Sequence, residues 1–236
     1  MAMVTNYRVE AIQILVAPEI SVSGHIGIPA WWPSGHRVGI VLGHDAGSNM
    51  DQPFLSTLHL RLVQRGYLTL RFNFPFAEQR KKRPDPTPLL ERAFRAAVTS
   101  LLRDPQIAPA RLFFGGMGLG ARVATQIVAT GQTADGVVCL GFPLHPSGKP
   151  NQQKADSLFR IICPVHFVQG SRDPYCRIDR LETLLRRIGA PTSLHVVQDA
   201  DHSFGLIKRT TRTPEEVLEE ALTTVDGFVQ KALGGL

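Results

Sequence analysis

The sequence predicts an α/β protein: a mainly parallel sheet of about seven or eight strands, helices on both faces, and an antiparallel hairpin on the N-terminal edge. Strand-like apolar runs alternate with helix-like amphipathic stretches through most of the chain. The first two runs, Val9–Val16 and Ile20–Ile28, alternate in polarity and are separated only by Ala17-Pro18-Glu19, the pattern of a half-exposed hairpin. The loops after the later runs carry glycine and ionisable residues, and this is the sheet edge at which open α/β proteins bind ligands.

Each element has its own local reason. Arg37–Leu42 is apolar enough for a strand buried on both faces, and it ends in Gly43-His44-Asp45-Ala46-Gly47-Ser48. Helix Phe54–Arg65 is expected next, with Asn49 and Asp51 as capping residues and Gly66 past its end. Tyr67–Phe72 reads as a strand, and Leu89–Leu102 as an amphipathic helix after Pro84, Pro86 and Pro88. Arg111–Phe114 is a strand, Gly115–Gly120 a tight turn, and Ala121–Thr130 a small-residue helix closed by Gly131. Strands Gly136–Leu140, Val165–Gln169 and Ser193–Val197 follow, with helix Ile178–Ile188 between the last two. Helix Pro214–Leu233 starts sharply, with Thr213 as cap, Pro214 in the first position and acids in the first turn. Trp31 and Trp32 follow the edge strand and are expected to cover the end of the sheet.

At 236 residues and 25.9 kDa the chain suits one domain over residues 1–236. Hydrophobic residues are 43% and charged residues 19%, which argues against disorder. Apolar runs such as Val38–Leu42 are of strand length, far below the roughly 20 residues of a membrane span. Met1–Asn6 lacks the basic and apolar regions of a secretory leader. Cys139, Cys163 and Cys176 are odd in number and read as reduced thiols, so a cytoplasmic protein is expected. Much of the net charge of +6 sits in Arg80-Lys81-Lys82-Arg83, which no stacking aromatics accompany. A solvated loop is expected there, not a nucleic-acid site.

The chemistry concentrates in three loops. Gly116–Gly120, Asp173 and His202 stand in the chain order nucleophile elbow, acid, histidine. Gly115-Gly116-Met117-Gly118-Leu119-Gly120-Ala121-Arg122 resembles the elbow G-G-K-S-M-G-G-R of small dienelactone-hydrolase-like α/β-hydrolases, in the group named after testis-expressed protein thirty. Leu42 to Asp51, Gly141 to Pro150, Gln169 to Pro174 and Asp199 to Phe204 resemble further loops of that group. The resemblance runs from about Val38 to the final helix and implies an α/β-hydrolase fold. It also implies Asp173 and His202 as acid and histidine, and an oxyanion hole from the Leu119 N–H and the His44–Ala46 loop.

The departures fall where the chemistry would be. Gly118 stands for the serine, Met117 for the lysine before it, Ala121 for a glycine, and Asp45 for the glycine after the loop histidine. Gly118 removes the nucleophile while accepting a backbone conformation that strains other residues. An inward carboxylate at Asp45 would oppose a developing oxyanion. Ordinary serine-esterase activity is therefore expected to be absent, with a small molecule or partner bound in the remnant cleft. A second reading is weak hydrolysis by a water that His202, oriented by Asp173, activates in the space the serine vacates. As substitute nucleophiles, Cys139 is expected to be buried in a strand and Cys176 and Ser147 to lie too far from His202; Ser48, near the oxyanion loop, is the least implausible.

A third reading is nucleotide binding, since Gly116 to Ala121 also spells G-x-G-x-x-A between a strand and a helix. Against it, that motif belongs to the first βα unit of its domain, with an acid after the next strand; Cys139-Leu140-Gly141-Phe142 supplies none. No other cofactor is implied. His44, Asp45, Asp51 and His202 lack metal-ligand spacing, so no metal is expected. His145 lies between Pro143 and Pro146, either on the pocket rim or simply on a turn.

Overall fold

The structure, a computed structural model, describes residues 7–32 and 37–234. The amino-terminal segment read for a leader lies outside them. Among these residues eight strands form one sheet: β1 (Tyr7–Ala17), β2 (Ile20–Pro29), β3 (Val38–Gly43), β4 (Leu68–Phe72), β5 (Arg111–Met117), β6 (Gly136–Leu140), β7 (Val165–Gly170) and β8 (Thr192–Val197). Their order is β1-β2-β4-β3-β5-β6-β7-β8. β2 runs antiparallel to both β1 and β4, and all pairs from β4 to β8 are parallel. β3, β4, β6 and β7 are buried throughout, whereas β1 buries only its last alternate residues, Ile14 and Val16. Central parallel strands are covered on both faces and an edge hairpin on one, which is why burial alternates along the end of β1 and not along β3, β4, β6 or β7.

Among the described residues six helices flank the sheet: α1 (Pro53–Gln64), α2 (Pro75–Glu78), α3 (Thr87–Arg103), α4 (Leu119–Ala129), α5 (Ile178–Leu185) and α6 (Pro214–Ala232). A 3₁₀ turn spans Asp156–Arg160. On one face Leu55, Leu58 and Leu62 of α1 pack with Val217, Leu222 and Val225 of α6. On the other, Leu90 and Phe94 of α3, Val123 and Ile127 of α4 and Leu181 of α5 share a second core. Thr213 caps α6 as expected, and does so in a capping box with Glu216. The cap of α1 corrects the sequence reading. Gln52, not Asn49 or Asp51, accepts from the Leu55 N–H at 2.7 Å, because Asp51 is drawn off to Arg71 and Asn49 closes its own turn on the Asp51 N–H. Arg80 to Arg83 are exposed between α2 and α3, as a solvated loop would be.

The strand order positions the site. After β3 the chain steps to β4 on one side, and β5 then pairs on the other side of β3. The loops leaving β3 and β5 therefore meet at the point where the winding reverses, where such sheets open a crevice. Their approach is close. A side chain at Gly120, in the first turn of α4, would run into the Gly43 carbonyl at the end of β3.

Candidate active site

The turn between β5 and α4 holds Gly118 at φ 50° and ψ −110°, with its N–H donating to the Leu140 carbonyl at 2.9 Å. That is the sharp turn a nucleophile elbow requires, and it costs a non-glycine residue about 1–3 kcal/mol. The space beside it is filled. A Cβ at Gly118 would overlap the carboxylate of Asp45, which reaches across from the loop after β3. Asp45 Oδ1 accepts the Leu119 N–H at 2.8 Å, and the Ala46 N–H also supports the carboxylate. The protein's own carboxylate thus occupies the donors expected to form an oxyanion hole.

The same carboxylate faces the histidine. Asp45 Oδ2 lies 3.4 Å from His202 Nε2, and Asp173 Oδ2 lies 2.7 Å from His202 Nδ1. Asp173 is held in turn: Gln169 Nε2 donates to its Oδ2 at 2.5 Å and the Tyr175 N–H to its Oδ1 at 2.7 Å. Gln169 is fixed by accepting the Phe142 N–H at 2.9 Å. The Tyr175 ring tilts against His202, with centroids 4.7 Å apart.

The charges follow from this geometry. Burial alone would lower the pKa of His202, but the Asp173 and Asp45 carboxylates on its two nitrogens outweigh that and push it up to about 9. Burial would raise Asp45, but bonds from His202 and the Leu119 and Ala46 N–H groups hold it below its ordinary value. At neutral pH the centre is an imidazolium between two carboxylates, so His202 rests as an acid and not as a base.

The structure brings Gly118, Leu119, Asp45, Asp173 and His202 together. It places His44 and His145 elsewhere. His44 is fully buried; its Nε2 accepts the Phe74 N–H at 3.0 Å, so its Nδ1–H donates to the Asp45 carbonyl at 2.8 Å. Burial keeps it neutral, with a pKa lowered to about 4. It holds the Asp45 loop from behind. His145 is also buried, its Nε2 accepting the Arg177 N–H at 3.1 Å, and it lines no part of the cleft. Of the pocket-rim and turn readings of His145, the turn reading fits.

The water-filled space imagined beside Gly118 is corrected too, because Asp45 fills it. Cys139 and Cys176 are buried and their thiols are pushed up by burial. Ser48 spends its hydroxyl on the Asp45 carbonyl at 3.3 Å. For a nucleotide, the leading N–H of α4 is already taken by Asp45 where a pyrophosphate would have to sit. Among the described residues no three His, Cys, Asp or Glu side chains converge as metal ligands, and no helix is long and apolar enough to cross a membrane.

A cleft of about 640 Å³ opens over the centre, lined by Asp45, Leu119, Arg122, Lys154, Tyr175 and His202 among others. Arg122 is mostly buried there, over the Phe142 ring, and donates to the carbonyls of Lys154 and Pro143. Sequence reading missed Gln169, Tyr175 and Lys154 as parts of the site. Gln169 opens the Gln169–Pro174 motif around Asp173 and Tyr175 follows it directly, and that adjacency was the available signal.

A mostly parallel sheet with a strained turn after β5, an acid after β7 and a histidine after β8 defines an α/β-hydrolase architecture. The Alpha/beta hydrolase domain family matches residues 36–230, and the chain belongs to that family. Its fold is similar to a dienelactone hydrolase from Anabaena variabilis (TM-score 0.71, 21% identity, 92% of this chain and 96% of that one). It is similar also to an alpha-beta serine hydrolase homologue from Coxiella burnetii (0.72, 19%, 92% and 97%) and to an esterase of Pyrococcus furiosus (0.75, 17%, 96% and 91%).

Proposed function

We propose that this chain is an α/β-hydrolase-fold protein without serine-hydrolase activity, whose cleft binds a small molecule beside an aspartate that stands in for the serine. We place it with the small dienelactone-hydrolase-like proteins of the group named after testis-expressed protein thirty, with Gly118 at the serine position. The observation that carries the reading is the Asp45 carboxylate, which lies where a residue-118 side chain would project and accepts the Leu119 N–H. An acyl substrate would find no nucleophilic hydroxyl at the elbow and no free oxyanion donor, and losing one such donor alone costs about 10²–10³ in rate.

The cleft is large enough for a small organic ligand. His202, charged below about pH 9, is a poor base for water at neutral pH, which weighs against ester hydrolysis by water activation. Cys139, Cys163 and Cys176 are unpaired, which supports a cytoplasmic location. The test is fluorophosphonate labelling and short-chain p-nitrophenyl ester hydrolysis. The expected result is no labelling and no enzymatic turnover; turnover at serine-esterase rates overturns the reading.

A further inference from the structure

We propose that the open edge of β1 is a docking site for an acidic partner segment, which adds to the sheet as a further strand beside the arginines of α3. The site is separate from the cleft. β1 ends the sheet, with β2 and β4 between it and β3, and among the described residues it pairs with β2 alone.

An outermost strand leaves alternate N–H and C=O groups without partners in the sheet, a ready template for another extended chain. Such edges are commonly blunted by shortness, by proline or by charge. β1 runs from Tyr7 to Ala17 without a proline, and its only charges, Arg8 and Glu10, sit at its start and pair with each other. From Ala11 to Ala17 the edge carries no charge. Ile14 and Val16 are buried in the core that α3 shares, while Leu15 and Val9 are exposed on the opposite face of the strand.

Beside this edge a groove of about 450 Å³ lies between residues 13–16 of β1 and a stripe of α3. The stripe includes Arg92, Arg95, Thr99 and Arg103, whose spacing puts them on one side of the helix. No acid lines the groove. Of the acids on β1 and α3, Glu10 pairs with Arg8 and Glu91 lines a different hollow, beside Arg122; Asp104, just past α3, accepts the Gln106 N–H. Arg95 is held towards α4 by Thr130 Oγ1 at 2.6 Å and Gln132 Oε1 at 3.3 Å. Arg92 and Arg103 are exposed and make no ion pair among the described residues. From Arg92 to Arg103 the helix rises about 16 Å, the length of about five residues of a strand.

These features together select the occupant. An extended acidic chain takes main-chain bonds along β1, sets carboxylates on the arginines from one face, and lays apolar side chains beside Val9 and Leu15 on the other. A second copy paired edge to edge about a two-fold axis brings its own Arg92 and Arg103 towards these, and like charges oppose that contact. A nucleic-acid strand has charge for the arginines but gains nothing from the open backbone edge.

The test follows the fluorescence anisotropy of a fluorescein-labelled peptide of alternating glutamate and valine, about eight residues long, titrated with the whole chain. Saturable binding tighter than about 1 mM is expected, weakening as salt is raised. Replacing each valine by proline keeps the charge, removes backbone donors and should weaken binding about tenfold or more. Amide hydrogen exchange along β1 should slow when the glutamate–valine peptide binds. Arg92→Glu combined with Arg103→Glu, both at exposed positions, should weaken binding about tenfold. The proposal is overturned by no saturable binding, by equal binding of the two peptides, by unchanged exchange along β1, or by a folded double variant that binds as well as wild type. Tighter binding of a single-stranded oligonucleotide of equal charge overturns it in favour of nucleic acid. A solution dimer that Leu15→Asp dissociates overturns it in favour of a second copy. The two-peptide comparison and the exchange measurement use the natural chain, so they decide the matter even if a variant fails to fold.

Discussion

Asp45 reaches from the loop after β3 into the place that a side chain at Gly118 would take, and its Oδ1 receives the Leu119 N–H at 2.8 Å. Gly118 and Asp45 therefore form one structural unit. The glycine at 118 leaves room, and the carboxylate at 45 uses it. A side chain at 118 would clash with Asp45, and without Asp45 the Leu119 N–H would lose its acceptor.

This coupling predicts that a serine introduced at 118 is not enough for esterase activity. Gly118→Ser should give no esterase activity and lose about 1–3 kcal/mol of stability, from overpacking and backbone strain. The double variant Asp45→Gly, Gly118→Ser should fold better than that single variant and gain fluorophosphonate labelling and p-nitrophenyl acetate hydrolysis. Denaturant melts and the ester assay read both outcomes. Labelling of the single variant equal to that of the double would show that Asp45 yields readily.

Asp45 is one of two carboxylates that raise His202. Asp45→Asn should lower the His202 titration midpoint from about 9, whereas a distant surface carboxylate change such as Glu10→Gln should leave it in place. Imidazole proton shifts followed by NMR against pH measure this directly.

The ion pairs of His202 also tie stability to pH. Its folded pKa of about 9 lies above the 6.5 of an ordinary histidine, so the folded state holds the proton more tightly than the unfolded chain. The contribution is full below pH 6.5 and is lost as pH rises through about 9. Its ceiling is about 3 kcal/mol, at 1.4 kcal/mol per pKa unit. The stability difference between wild type and His202→Gln should shrink between neutral pH and pH 10; a difference constant over that range refutes the charged pair.

Gln169 holds Asp173 while accepting the Phe142 N–H, all in the buried interior. Gln169→Leu strands a buried N–H and removes a donor from a buried carboxylate, for a loss of about 1–3 kcal/mol. The midpoint of His202 should shift as well, because Asp173 is no longer fixed against Nδ1. Gln169→Glu should be worse than Gln169→Leu, since it sets a second carboxylate against Asp173.

Much of the fold is legible along the chain. Alternation marks β1 and β2 as an edge hairpin, the apolar runs of β3 and β6 mark interior strands, and Thr213 to Glu216 announce α6. The cap of α1 was not legible. Asn49, Asp51 and Gln52 are all competent, and Arg71, twenty residues later, decides among them by drawing Asp51 away.

The site divides the same way. Along the chain one can read a glycine at 118, the order of glycine turn, acid and histidine, and an acid at position 45, because these are matters of residue identity and local turn chemistry. Where that acid goes is settled by folding. His44, next to Asp45, and His145, in the loop after β6, turn out to be buried supports. Asp45 instead crosses to the elbow, because the reversal of winding between β3 and β5 presses their loops together and the Leu119 and Ala46 N–H groups offer a carboxylate the partners it needs. A buried charge settles where hydrogen bonds and an opposite charge await it, and such partners from distant segments are assembled only by folding.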